Sequence, residues 1–430
     1  MRSNPNHNPT YKWSIMLLAA FCFMFQSCLE DDCEATRTFI QSDPVYVDEA
    51  DIRVDITATA SKEIEKPGKI YSYGKYLFIN ERREGLHIID NTTPASPQNI
   101  GFINIPGNLD MAIRDGVLYA DSYIDLLAID VSDPTNPDLL CRLESVYNQY
   151  QFWEDRGYLV YYEETEKSIE VDCQDPRFGQ DEFFLDGVRF ANVDFDASSA
   201  AGGNKDGSVG IGGSTARFTI AKNHLYAVDE ASMYIFDLEE PTKPVQRTTE
   251  RLGWGIETIW PYKDLLFIGG NTGMQIYNNE SPGRPYFLSE FSHARACDPV
   301  VADDKYAYVT LRDGTFCESF TNQLDVIDIA DLKSPELVES YPMDNPHGLS
   351  IVNEHLYICE GIHGLKVFNA SDPDKVDDNL LDHVKDIVAY DVIALSVDHI
   401  IVIGDEGLYQ YDASDKENLK QISLIPVPKK

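Results

Sequence analysis

The chain has 430 residues, and its 72 acidic side chains outnumber its 35 basic ones, so the formal net charge is −37. Such a charge makes the surface soluble and self-repelling and pushes it away from phosphate backbones. We therefore expect a monomer with no nucleic-acid partner. Most of the carboxylates are expected to be solvated or to cap turns, which leaves cationic ligands and bridging divalent ions open.

Residues 1–27 have the features of a lipoprotein signal peptide. A basic start precedes an apolar run over residues 13–25, which is too short to span a bilayer. The run ends in Phe-Gln-Ser-Cys, which resembles a lipobox, so we expect Cys28 to be acylated and to begin the mature protein. An ordinary signal peptide with an incidental cysteine is the alternative.

The acidic residues that follow bear on where the protein is displayed. Residues 29–32 (LEDD) resemble the export tag of Bacteroidota lipoproteins, which implies a lipid-anchored protein on the outer surface of the outer membrane. A solvated acidic tether, with the protein facing the periplasm, is the alternative. Residues 33–50 have no strand pattern, so 28–50 is predicted to be a tether. Ile52–Thr59 alternates apolar and polar residues and predicts a strand that pairs with the last repeat and closes a ring.

The rest of the chain, 51–430, is organised by a repeated stretch in which an apolar strand ends on Asp or Asn and runs into a proline turn. Its clearest copy is Leu86–Pro97, LHIIDNTTPASP. Eight copies end at Asp90, Asp130, Asp172, Asp237, Asn278, Asp328, Asn369 and Asp412. Their spacings are 40, 42, 65, 41, 50, 41 and 43 residues, and a period in the forties is typical of propeller repeats.

Each repeat has the composition of one blade. A run of branched and aromatic residues favours a buried strand, and the terminal Asp or Asn can bond its own downstream backbone. Further apolar runs precede and follow each copy, which gives four short strands per repeat. The sequence therefore predicts an all-β fold, a single β-propeller of four-stranded antiparallel blades. Eight blades are expected, with seven as the alternative because the third and fifth copies depart from the pattern.

The two long spacings predict insertions near 174–214 and 312–323. The first contains a glycine-rich stretch that predicts a flexible loop, because it lacks the Gly-Lys-Ser/Thr of a phosphate loop and the Gly and Glu of a calcium loop. The second contains Cys317. In an up-and-down blade this loop shares a face with the start of the first strand, where Cys297 lies, so we predict a Cys297–Cys317 disulfide in an exported chain. Cys141–Cys173 is a weaker second pairing.

The L-x-I-I-D run with its proline turn resembles the LVIVD repeat, over roughly Pro67 to Val427. The resemblance implies a cell-surface propeller of the Bacteroidota lipoprotein type. It supplies no catalytic motif and no cofactor.

Candidate site residues follow from propeller geometry, because the first residues of the innermost strands face one mouth of the ring. The sequence positions predicted there are Lys69, Asp110, Gln151, Arg217, Glu257, Asp298, His347 and Asp391. Trp254 lies beside them, and the loops between second and third strands bring Arg312 to the same face. The ligand-binding prediction therefore comprises Asp110, Arg217, Trp254, Glu257, Asp298, Arg312, His347 and Asp391.

Each of these residues also has a structural interpretation. The four acids are as compatible with bonding the backbone amides of a neighbouring blade, with Arg217 as their counter-ion. His347 in Asn-Pro-His-Gly fits a turn, and Trp254 fits blade packing. The histidines form no H-x-H or H-E-x-x-H group, so no metal or cofactor is predicted.

Three functions remain open. The leading one is a non-enzymatic surface propeller that binds a glycan, a peptide or an envelope component at the ring mouth. The second is a carboxylate-based glycan hydrolase or lyase, which needs two carboxyls at a suitable separation. The third is a scaffold in an outer-membrane complex, which predicts apolar patches on the outer blade edges.

Overall fold

The computed structural model describes residues 34–172, 209–292, 299–312 and 321–428. These residues form eight antiparallel sheets, one for each predicted copy of the repeat. In seven sheets, four consecutive strands pair in chain order, and the first of these sheets carries one extra strand. The prediction of an all-β propeller of antiparallel blades is confirmed.

These seven sheets are called blades 1 to 7. In each blade the first strand is innermost and the fourth is outermost. Blade 1 has β3 (Pro67–Tyr73), β4 (Tyr76–Glu81), β5 (Gly85–Asp90) and β6 (Gln98–Asn104); blade 2 has β7 (Met111–Arg114), β8 (Val117–Ser122), β9 (Asp125–Asp130) and β10 (Asp138–Leu143); blade 3 has β13 (Phe218–Ala221), β14 (His224–Val228), β15 (Ser232–Asp237) and β16 (Val245–Arg251); blade 4 has β17 (Ile256–Tyr262), β18 (Leu265–Gly270), β19 (Gly273–Asn278) and β20 (Tyr286–Ser292).

The remaining blades follow the same order. Blade 5 has β21 (Val300–Ala302), β22 (Tyr306–Leu311), β23 (Gln323–Asp328) and β24 (Glu336–Pro342); blade 6 has β25 (Leu349–Val352), β26 (His355–Cys359), β27 (Leu365–Asn369) and β28 (Leu380–Val384), with a 3₁₀ turn at Asp377–Asn379; blade 7 has β29 (Ala389–Ser396), β30 (His399–Gly404), β31 (Gly407–Asp412) and β32 (Lys420–Pro426).

The third copy of the repeat forms a different kind of sheet. It has three strands, β11 (Gln151–Trp153), β12 (Gly157–Asp172) and β1 (Glu34–Val47), in the order β1-β12-β11. The innermost strands of blades 2 and 3 contact each other directly although this sheet lies between them in sequence. Both predicted numbers therefore have a counterpart: there are eight sheets, and seven of them contain a blade of four consecutive strands.

Part of the three-stranded sheet belongs to a separate compact unit of residues 1–44 and 162–191. Within the described part of that unit, the hydroxyls of Thr38 and Ser168 lie 3.0 Å apart. Gln41 Nε2 donates to the Asp43 carboxylate at 2.9 Å. The larger unit, 45–161 and 192–430, contains all seven blades.

The segment ahead of blade 1 differs from its predicted form. Residues 34–47, where no strand was predicted, form β1, and Glu49–Ile52 is a short helix, α1. Ile52–Thr59 is not the predicted closing strand, because only β2 (Ala58–Thr59) is extended and it pairs with β6 of blade 1. Neither helix in the described residues has the length and apolar character needed to cross a bilayer.

Closure of the ring comes from side chains instead. Ile70 and Ile79 of blade 1 share a buried apolar cluster with Ile393 and Ile401 of blade 7. Gln410 Nε2 of blade 7 also donates to Asn91 Oδ1, next to blade 1, at 2.8 Å. Four further clusters join neighbouring blades in the same way, so burial of branched side chains between sheets holds the ring together.

The predicted turn chemistry is confirmed in all seven blades. The terminal Asp or Asn of each third strand accepts a hydrogen bond from the backbone N–H two residues later, as in Asp90 with Thr92 (2.9 Å) and Asn278 with Glu280 (3.0 Å). The other five acceptors are Asp130, Asp237, Asp328, Asn369 and Asp412. These residues end the third strand and start the tight turn to the fourth.

Residues 209–217 are here called the hub segment, and 209–214 of them were predicted to be part of a flexible loop. Ile211 instead exchanges two 2.7 Å backbone hydrogen bonds with Ser72 of blade 1, and Gly210 N donates to Ile113 O of blade 2 at 3.0 Å. Further along, Ala216 O accepts from Ile259 N of blade 4. A short segment can touch inner strands on several sides of a ring only from its axis. The hub segment therefore fills the centre of the propeller.

Candidate functional site: the upper face of the propeller

The upper face is the side that carries the loops leading into the innermost strands and the loops between second and third strands. The described residues of the predicted site lie in the loops of this face or at the start of an innermost strand. Gln151 is the exception, because it lies on β11 of the three-stranded sheet. Asp298, Cys297, Cys317, Cys173 and Cys28 lie outside the described residues, as do 173–208 and 313–320 of the two insertions.

Asp110, immediately before β7, ties blade 2 to blade 3. It is buried, and its Oδ2 accepts from Arg217 N at 2.6 Å and from Phe218 N at 3.0 Å, while Oδ1 accepts from Met111 N. Burial raises the pKa of Asp110, and the nearby Lys69 ammonium and these amides oppose the rise. This is the amide-bonding arrangement that the sequence left open as the structural alternative.

Asp391 lies deep in the ring, with no exposed surface. Its Oδ1 is 3.5 Å from Ser214 Oγ of the hub segment, and that hydroxyl in turn accepts from Leu349 N of blade 6 at 3.2 Å. A Cβ on Gly348 would lie 1.7 Å from Asp391 Oδ1, so only glycine fits there. Lys69 is likewise buried and donates to Thr215 O at 2.8 Å. These polar residues, which were predicted at the ring mouth, are thus in contact with the hub segment.

Arg312, His347 and Tyr390 form a connected group across blades 5, 6 and 7. Arg312 Nη1 lies 2.9 Å from His347 Nε2, and the imidazole meets the Tyr390 ring edge-on at 5.4 Å. Burial and, secondly, the Arg312 guanidinium lower the pKa of His347 to about 3, so its ring is neutral and accepts from Arg312. Tyr390 Oη donates to Asp405, and burial together with this bond raises the pKa of Tyr390 to about 12.

Trp254 does not pack between blades, because 71% of it is exposed. It stands in the loop from β16 to β17, between Gly253 at φ +114° and Gly255 at φ +83°. The loop is held on both sides, since Leu252 N donates to Ala231 O and Asn271 N donates to Gly255 O, each at 2.8 Å. The indole is therefore presented to solvent by a fixed backbone.

The other two predicted residues are half-buried. Arg217 ends the hub segment and precedes β13, while Glu257 is the second residue of β17. Ile362, at the tip of the β26–β27 loop, adds a second apolar group to the upper face, and it is 72% exposed.

Three buried acids near this face were not among the predicted binding residues. Glu81 and Glu360 end or follow the second strands of blades 1 and 6, and each accepts two consecutive backbone amides from the chain ahead of its own innermost strand. Asp121 of β8 does the same in blade 2, with the amides of Leu109 and Asp110. The signal that could have found them is an acid nine residues before the terminal Asp or Asn, as in all three blades.

The chemistry of these carboxyl groups is that of backbone acceptors. Within the described ranges, no three His, Cys, Asp or Glu side chains gather closely enough to hold a metal ion. A groove of 410 Å³ lies on the lower face between blades 1 and 2, lined in part by Tyr73, Tyr76 and Asp115, and none of the predicted site residues lines it.

The fold and the site together define a β-propeller whose centre is filled by its own chain. The sequence profile of the LVIVD repeat matches residues 68–104, 111–144 and 294–342, which are the regions of blades 1, 2 and 5. Three stretches of the chain therefore match the LVIVD repeat, and the predicted resemblance is confirmed.

Several solved structures are similar to this chain. Sqt1 of Saccharomyces cerevisiae is 9% identical, with 88% of this chain and 87% of that chain covered and a TM-score of 0.49. Hsv2 of Kluyveromyces lactis is 11% identical over 84% of this chain and 100% of that chain, with a TM-score of 0.47. The computationally designed Ika8 protein is 8% identical over 86% and 92%, with a TM-score of 0.47. No curated protein matches the chain.

Proposed function

We propose that this protein is a non-enzymatic binding propeller that recognises a glycan or a peptide of the cell envelope on its upper face, with Trp254 as the contact platform. The observation that carries the proposal is the 71% exposure of an indole on a loop whose backbone is hydrogen-bonded on both sides. An exposed tryptophan that is already ordered offers a large apolar surface at little entropic cost on binding.

The surroundings of Trp254 suit a polar ligand with an apolar face. Glu257 lies half-buried on β17, directly after the Trp254 loop, and the half-buried Arg217 precedes β13 of the neighbouring blade. Ile362 projects from blade 6 on the same face. Because the hub segment occupies the axis, the ligand is expected to lie across the upper face and not to thread the ring. The buried Asp110 and Asp391 serve this site indirectly, by fixing the innermost strands.

The test compares two single variants of blade 4 and its leading loop. Trp254→Ala removes the platform, while Phe287→Ala removes an aromatic side chain that is 50% exposed on the outermost strand β20. On glycan and peptide arrays, we expect Trp254→Ala to weaken each wild-type signal at least about tenfold, which corresponds to about 1.4 kcal/mol, and Phe287→Ala to leave it unchanged. Equal binding by the wild type and Trp254→Ala would reject the platform.

The site of action is proposed from the N-terminal sequence. Its basic start, short apolar run and Cys28 motivate an exported, lipid-anchored protein of the outer membrane that is displayed at the cell surface. Metabolic labelling with a fatty-acid analogue is expected to mark the wild type but not Cys28→Ala. Protease digestion of intact cells then separates surface display from the periplasmic alternative.

A scaffold role is the second candidate, and the outer strands favour it. Phe287, Leu337 and Leu380 occupy the same register position in blades 4, 5 and 6, and each is 45–50% exposed. A role in assembly predicts that Phe287→Ser with Leu337→Ser lowers the mass of the native envelope complex, while Trp254→Ala does not. An unchanged complex mass would remove this candidate.

A further inference from the structure

Asp121 is a buried acid at the end of β8 that holds the start of its own blade. Its Oδ1 accepts from Asn108 Nδ2 at 2.8 Å, from Leu109 N at 2.9 Å and from Asp110 N at 3.0 Å. Asp110 in turn accepts the amides of Arg217 and Phe218. The two acids therefore form a relay that joins β8 to the first residues of blade 3.

The acids with the same role in blades 1 and 6 have a basic partner. His87 Nε2 lies 2.9 Å from Glu81, and Lys366 Nζ lies 3.0 Å from Glu360. Within the described residues, the only side-chain hydrogen bond to Asp121 comes from the neutral amide of Asn108. Of the three residues that bond to Asp121, the ionisable one is another carboxyl, Asp110.

The remaining titratable groups around Asp121 are mostly tyrosines. Burial raises the pKa of Tyr123 to about 12 and is also the main cause of the raised pKa values of Tyr147 and Tyr150, and the charge of Asp121 adds to the rise for all three. Arg83 opposes the rise for Tyr123 and Tyr150, and the Lys69 ammonium acts to lower the pKa of Asp110. The buried Tyr147 hydroxyl has no hydrogen-bond partner in the part of the chain that the structure describes.

We propose that Asp121 is a proton-controlled clamp that couples pH to the junction of blades 2 and 3 on the upper face. With a proton, the carboxyl still accepts the two amides through one oxygen and places no second charge beside Asp110. Without it, two buried carboxylates share one site, and the turn that both acids hold is destabilised.

The direction of the pH effect follows from linkage. Burial and Asp110 raise the pKa of Asp121 to about 7, although its hydrogen bonds oppose this. The folded protein then holds a proton that the unfolded chain releases near its ordinary pKa of about 4. The stabilisation by the bound proton is therefore complete below about pH 4. Between about pH 4 and pH 7 the folding equilibrium constant falls about tenfold per pH unit, and above about pH 7 the stabilisation is lost.

The test is urea unfolding of the full chain and of Asp121→Asn at pH 5.5, 6.5, 7.5 and 8.5. The asparagine keeps one oxygen for the amides and cannot ionise. Relative to the variant, we expect the folding constant of the wild type to fall by about tenfold between pH 5.5 and 6.5 and to level off above pH 7.5. Parallel curves for the two proteins would overturn the proposal.

Hydrogen exchange and carboxyl NMR provide two further tests of the clamp. Hydrogen exchange at the Phe218 amide, corrected for its intrinsic rate, should accelerate from pH 6.5 to 8.5 in the wild type, and an unchanged corrected rate would contradict the relay. If Asp121→Asn does not fold, carboxyl carbon NMR of the wild type decides the matter. A titration midpoint of Asp121 near 7 supports the clamp, and a midpoint near 4 rejects it.

Discussion

The centre of the ring and the rim of its upper face use polar and apolar residues in opposite ways. At the centre, charged side chains such as Asp110 and Asp391 are buried and bonded to the main chain or to Ser214. At the rim, Trp254 and Ile362 are more than 70% exposed. The polar residues at the mouth of this propeller are therefore structural, and the residues available to a ligand are the solvent-exposed apolar ones.

The largest expected effect comes from closing the space at the centre. A Cβ on Gly210 would lie 2.2 Å from the Tyr71 ring, so Gly210→Val should destabilise the protein by about 3 kcal/mol or prevent folding. Gly74→Ala is the control, because Gly74 has φ +58° but open space around it, and it should cost only about 1–2 kcal/mol. Urea unfolding measures both, and a tolerated valine would mean that the hub segment is not packed.

The next effect tests the acid that joins blades 2 and 3. Asp110→Ala leaves the buried amides of Met111, Arg217 and Phe218 without their acceptor, and we expect a loss of about 3 kcal/mol. Asn278→Ala removes a single turn hydrogen bond on the lower face and should cost about 1 kcal/mol. Equal losses in the two variants would show that Asp110 is no more important than a turn residue.

A smaller effect is expected for Glu81, whose contribution to stability should fall as the pH is lowered, whereas that of Asp121 should fall as the pH is raised. Burial alone would raise the pKa of Glu81, but His87 and the amides of Glu65 and Lys66 outweigh it and lower that pKa overall. The stabilisation by Glu81 is thus present above its unfolded pKa of about 4.5 and is lost as the pH falls through the lower folded value. Glu81→Gln should cost about 2 kcal/mol at pH 7 and much less at pH 3.

The control for that change is Glu63→Gln, an exposed glutamate ahead of the same blade. This variant also loses one negative charge, and its melting temperature should equal that of the wild type within error at both pH values. A Glu81→Gln deficit that persists undiminished at pH 3 would contradict the assigned ionisation.

The smallest effect is expected at the rim. Trp254→Ala should change the free energy of unfolding by less than about 0.5 kcal/mol, because an exposed side chain loses little burial. Thermal unfolding checks this, and a loss above about 2 kcal/mol would show that the indole supports the fold, so that a loss of ligand binding could not be assigned to contact alone.

Local sequence patterns were sufficient for the blades but not for the centre. The terminal Asp or Asn and its turn lie within a few residues, so Asp90 and Asn278 were predictable. The partners of Ile211 and Ser214 lie more than 130 residues away, and a glycine-rich stretch looks locally like a loop wherever it lies. The pairing of β1 with β12 is equally non-local.

The site shows the same division. The position of Asp110 before β7 followed from counting strands, but its burial depends on the hub segment that packs beside it. Trp254 could be placed on the upper face from sequence, whereas its exposure depends on how the two flanking glycines direct the chain. The sequence pattern therefore located these residues, and tertiary packing determines which of them a ligand can reach.

Hydrogen exchange of residues 209–217 tests the filled centre most directly. The N–H groups of Gly210 and Ile211 donate to Ile113 O and Ser72 O, so we predict that they exchange as slowly as the innermost strands of blades 1 and 2. Exchange at the rate of an open, solvated loop would contradict a propeller whose centre is filled by its own chain.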